Sequence, residues 1–96
     1  MEVAVGANML RITRLPEQRE PPCLRVEGRL VGDWVHLLQV EIELAQAHTT
    51  ALELDLLGVE FADARALSLL HEVERRGVKL VGCSPLLTSL LESQRP

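Results

Sequence analysis

The 96 residues carry 14 acidic against 10 basic side chains, a formal net charge of −4, and are 47% hydrophobic but only 2% aromatic. A chain of this length is one domain, residues 1–96, hiding roughly 60–65% of the surface its unfolded form exposes, and its core must be built from Leu, Val, Ala and Ile because Trp34 and Phe61 stand alone. The nine arginines and one lysine are scattered, which argues against charge-driven binding of nucleic acid, and Glu41, Glu43, Glu53, Asp55 and Glu60 interrupt every stretch that could reach membrane-spanning length.

The opening "MEVAVGANML" lacks both a basic leader and a sustained apolar run, so the expectation is a cytoplasmic chain without a secretory signal. "MLRITRL" (Met9–Leu15) alternates as a strand with two unlike faces, and "PEQREPP" then interrupts it with Pro16, Pro21 and Pro22. "CLRVEGRLV" (Cys23–Val31) reads as a second strand, antiparallel to the first, with Leu24 and Val26 opposite Arg25 and Glu27.

Gly32-Asp33 marks a turn with Asp33 as helix cap. From Trp34 to about Ala47, positions 34, 37, 38, 42 and 45 form an apolar helical stripe, and His48–Thr50 ends the helix. "ALELDLL" (Ala51–Leu57) is a period-2 strand, and Gly58 to Phe61 a connection. Asp63 caps the next helix, in which Ala66, Leu67, Leu69, Leu70 and Val73 gather on one side and Ala64, Ser68, His71, Glu72 and Arg75 on the other. Arg75-Arg76 and then Gly77 close it, cations at the negative end of the dipole before a residue free to take φ > 0. "VKLVG" (Val78–Gly82) reads as an inner strand. Ser84-Pro85 opens a last helix with Leu86, Leu87, Leu90 and Leu91 as its buried stripe.

The order strand, strand, helix, strand, helix, strand, helix predicts an α/β fold: a small mixed, largely parallel four-stranded sheet with helices packed mainly on one face. Motifs for chemistry are absent. The six glycines occur singly, so no phosphate-cradling loop forms. His36, His48 and His71 fall on helix surfaces or ends with no partner at ligand spacing, and Cys23 and Cys83 read as small buried hydrophobes. These features point to no metal, no cofactor and no enzyme activity.

Three segments, "LRVEGRL", "LELDLLGVEFADARAL" and "GVKLVGCSPLLTSLLE", in this order and spacing across Leu24–Glu92, resemble the STAS domain, named for sulfate transporters and the antagonists of bacterial anti-sigma factors. The first matches the family's strand ending in Gly-x-Leu, the second its central strand and Asp-Ser-Ser-Gly-Leu helix start, the third its later strand followed by Ser-Pro and a helix. The resemblance implies a non-catalytic, cytoplasmic interaction module. In phospho-regulated members the surface around the Asp-Ser-Ser helix start binds a partner, often a serine-kinase anti-sigma factor, and phosphorylation of the second serine abolishes binding. Here Asp63 retains the aspartate, Ala64 and Arg65 replace the serines, Ala66 replaces the glycine, and Val31 stands where an acidic residue often follows Gly-x-Leu.

The resemblance thus implies a partner-binding patch at Asp63, Ala64, Arg65 and Ser68, without a phosphorylatable serine at the family positions. A phosphoserine would bring about −1.5 to −2 charge to a helix N-terminus that welcomes it, whereas Arg65 brings +1. Arg65 either swings out to pair with Glu72 or another carboxylate, or projects toward an acidic group on a partner. Trp34 is either core or a partner anchor. The partner classes are an anti-sigma factor of the kinase-like ATPase type, the ATPase of a lipid-transporting ABC system to which the chain would be a cytoplasmic accessory subunit, or a second copy of the chain. A nucleotide- or small-ligand-binding domain is the reading from another class.

Overall fold

The computed structural model describes residues 3–6, 10–15, 21–47 and 51–93. The expected start of the first strand at Met9, most of the proline-rich segment and the helix end at His48–Thr50 lie outside the described residues. One five-stranded sheet holds the strands in sequence order: β1 (Val3–Gly6), β2 (Leu10–Arg14), β3 (Cys23–Leu30), β4 (Glu53–Ala62) and β5 (Lys79–Val81). The four expected strands are β2 to β5, and β1 adds a fifth at the edge. β1 and β3 each pair antiparallel with β2, whereas β3–β4 and β4–β5 are parallel.

Alternation along the strands sends Leu10, Ile12, Leu24, Val26, Leu54 and Leu56 to one face, where they join helix residues Leu38, Ile42, Leu70 and Leu87 in one buried cluster. Above that face lie α1 (Asp33–Gln46), α2 (Ala64–Arg75) and α3 (Pro85–Ser93). α2 is the middle of this layer, touching α1, α3, β4 and β5. The opposite face of the sheet is charged: Arg25 pairs with Asp55 at 3.5 Å, and the Arg29 guanidinium sits 5.9 Å from the Phe61 ring centre.

Five local expectations need correction. β4 does not stop at Leu57 but continues through Gly58–Phe61, because two irregularities in its register with β3 break the strict alternation there without ending the ladder. β5 is an edge strand of three residues rather than an inner one. Its apolar run reflects Val78, buried just before it, and half-covered Leu80 and Val81. Asp33 is the first residue of α1, not its cap: Gly32 holds the cap position at φ 57°, ψ −133°, a conformation open to glycine, and no side chain caps the helix. The buried face of α1 is Val35, Leu38 and Ile42, with Trp34, Leu37 and Ala45 only half-covered. In α3, Leu87 and Leu91 are buried, Leu90 is half-buried and Leu86 is exposed.

The other helix signals hold. Ser84 Oγ accepts the Leu87 N–H at 3.1 Å, and Gly77 follows α2 with φ 99°.

Candidate functional site

β3 and β4 end together, with Leu30 opposite Ala62, so the loops leading into α1 and α2 emerge side by side. Asp63 joins them. Its backbone N–H donates to the Leu30 carbonyl at 3.1 Å, its Oδ1 accepts the Ala66 N–H at 2.9 Å, and its Oδ2 accepts the Gly32 N–H at 2.9 Å. One carboxylate therefore caps α2 and fastens the start of α1. The Gly32 N–H holds the Asp63 carboxyl below its ordinary value. The Ala66 N–H and the charge and N–H of Arg65 add to this, while burial opposes it.

This arrangement also removes the electrostatic oddity of a cation in the first turn of α2. Asp63 supplies the anion that the dipole favours, one residue before the helix, and Arg65 sits beside it. Arg65 is exposed and, among the described residues, forms no ion pair. Its expected partner Glu72 is taken by Arg75 and Arg76 instead. Ala64 and Ser68 are exposed too, and their i, i+4 and i, i+3 spacing from Ala64 and Arg65 puts all three on one side of the helix, while Ala66 and Leu67 turn into the core. The four residues singled out in the sequence thus form one continuous strip: half-buried Asp63 at its foot, then Ala64, Arg65 and Ser68 facing solvent.

Sequence reasoning missed three features nearby. Gly32 as the second partner of Asp63 had no signal beyond a glycine before a helix. His71, read as a surface residue, is half-buried and donates from Nε2 to the Leu91 carbonyl at 2.9 Å, tying α2 to the last turn of α3, where carbonyls lack helical partners. A groove of about 630 Å³ opens along the start of α1, lined by Val31, Gly32, Trp34, Leu37 and Val40 together with Asp33 and His36. Trp34 is thus partly core and partly groove wall.

Cys23 is buried and Cys83 half-buried, and neither forms a disulfide among the described residues. Burial, and then the charge of Glu74, push the Cys83 thiol up, away from nucleophilic character. Among the described residues no three His, Cys, Asp or Glu side chains are grouped to hold a metal ion, and no helix is long and apolar enough to cross a membrane. What the Asp63 strip offers chemically is recognition: a capped helix start with a guanidinium that forms no ion pair among the described residues.

A protein-family model described as "Mlab, STAS domain" matches residues 13–95. A comparison with curated proteins finds no match.

Proposed function

The chain belongs to the STAS domain family, and from that membership and the geometry of the Asp63 strip we propose that it works as a non-catalytic protein-docking module, resembling an anti-sigma factor antagonist, that is permanently competent to bind. The observation that carries this reading is the first turn of α2. Asp63 keeps the helix start in place, while the two positions where phospho-regulated members carry serine hold Ala64 and Arg65. A kinase finds no hydroxyl there. The exposed Arg65 instead presents a fixed charge suited to a partner carboxylate, in an ion pair that gains strength as the interface excludes water. Ser68 lies a full turn into α2, where the free amides that would stabilise a phosphate have ended.

The partner in this reading is a protein of the kinase-like ATPase type that antagonists engage, in the bacterial cytoplasm, with signalling to transcription as the output. Incubation with candidate serine kinases tests it. The expected result is no stoichiometric phosphate on the chain, and phosphate on Ser68 or Ser84 that also abolishes partner binding would overturn it.

A second reading, an accessory subunit of a lipid-transporting ABC system, is favoured by two specific observations. The matching family model bears the description Mlab, and loss of both serines suits a standing subunit that needs no release signal. The same strip would then contact the transport ATPase, and the identity of the ATPase that co-purifies separates the two.

A further inference from the structure

α1 has an apolar flank that the core does not use. At about 100° per residue, Trp34, Leu37, Val40 and Leu44 follow one line beside the buried Val35, Leu38 and Ile42. Val40 is 37% and Leu44 53% exposed, and Trp34 and Leu37 are half-covered at the groove of about 630 Å³. Scattered exposed apolar residues are ordinary, but a continuous stripe leading into a groove and edged by polar groups marks a contact surface.

The edges narrow down what covers it. α1 contains no lysine or arginine. On the sheet side Glu41 is engaged by Arg14 at 3.3 Å, while Glu43 on the outer side and Asp33 at the start of the helix are exposed, Glu43 meeting, among the described residues, the Gln39 amide at 3.5 Å. A second copy stacked helix to helix would set acid against acid, and an anionic lipid surface would be repelled by the same edge. An amphipathic helix with an apolar face and a basic margin satisfies both the groove and its rim.

We propose that the Trp34–Leu37–Val40–Leu44 flank of α1 is a second docking surface, taking a basic-edged amphipathic helix of a protein partner. It is separate from the Asp63 strip and stands whether or not that strip binds anything. Asp63 accepts the N–H of Gly32, a residue that lines the groove, so the two surfaces share one hydrogen-bonded support.

Trp34 is the chain's one tryptophan and reports occupancy by fluorescence. The probe is a synthetic helical peptide with Leu at i, i+3, i+4 and i+7 and Lys along both margins, titrated beside the same peptide carrying Glu for Lys, and beside phosphatidylglycerol vesicles. The Lys peptide is expected to give a saturable shift in Trp34 emission that weakens on going from about 0.05 to about 0.5 M salt. Val40→Asp, with an unchanged melting temperature, should weaken it about tenfold, and Arg65→Glu should leave it intact. Equal binding of the Glu peptide, no saturable binding of the Lys peptide, a shift produced by the vesicles, or one that follows protein concentration with self-association in sedimentation would each overturn the proposal.

Discussion

Asp63 Oδ2 and the Gly32 N–H, 31 residues apart in sequence, meet at 2.9 Å and bind the loop before α1 to the loop before α2. The other carboxylate oxygen caps α2 in the usual way, so one side chain sets the relative position of two helix starts. A residue that the sequence marks as a cap and as part of the partner-binding patch is therefore also the fastening of the whole strip.

Replacing Asp63 with Ala removes the cap and leaves the Gly32 N–H without its acceptor. The cap contributes about 0.5–2 kcal/mol and a bond to a charged acceptor about 1.5–3 kcal/mol. Because water reaches this edge, the expected loss is near the lower sum, about 2 kcal/mol. Urea unfolding should show a lower midpoint with an unchanged slope.

The same carboxylate gives stability a dependence on acid. Its folded value lies below the ordinary 3.8, so on acidification the unfolded chain takes up this proton first. The stabilisation is fully present above the unfolded value and is lost as pH falls through the folded one. The difference in stability between the parent and Asp63→Asn should be constant from about pH 5 to about pH 8 and shrink below about pH 4. A difference that grew on acidification would contradict the lowered value.

Gly32 carries a backbone at φ 57°, ψ −133°, with nothing within 4 Å of where a Cβ would stand. Gly32→Ala should therefore cost about 1–3 kcal/mol through backbone strain alone, without a clash. Thermal unfolding of the variant measures it, and a neutral result would mean that the loop can relax.

Leu70 is fully buried at the centre of the helix layer. Leu70→Ala should destabilise by about 2–5 kcal/mol, read in the same denaturant titration.

Much of this molecule was legible in its sequence, for reasons that differ from element to element. The caps at Asp63 and Ser84 and the stop at Gly77 were visible because they depend on one residue type at one position. β4 was cut short because its register irregularities opposite β3 break the period-2 pattern, and pairing to a distant strand is not written in local alternation. The apolar run Val78–Gly82 predicts an inner strand where β5 is an edge, because a short apolar run does not reveal how many neighbours a strand has. The spacing in α1 predicts a stripe through Trp34 and Leu37 where the sheet takes Val35, because apolar residues lie on both sides of Leu38 and only packing decides between them. The strip itself was found by resemblance to a motif at Asp63. The bond to Gly32 was not, since side chain to backbone contacts across 31 residues leave no spacing signal.

Arg65→Glu separates fold from function at the strip. The gain from an anion in the first turn of α2 is set against the loss of the Arg65 charge beside Asp63, so the stability of the isolated chain should change by less than about 1 kcal/mol. The same change should weaken an acid-bearing partner.

The most direct measurement is site-specific photocrosslinking in the source cells, with the reactive group placed at Ser68 and, as a control, at exposed Lys79 on the edge strand. The docking role of the strip predicts a discrete protein adduct from Ser68 that Arg65→Glu suppresses, and none of the same size from Lys79. Equal adducts from both positions, or a Ser68 adduct indifferent to Arg65→Glu, would contradict it.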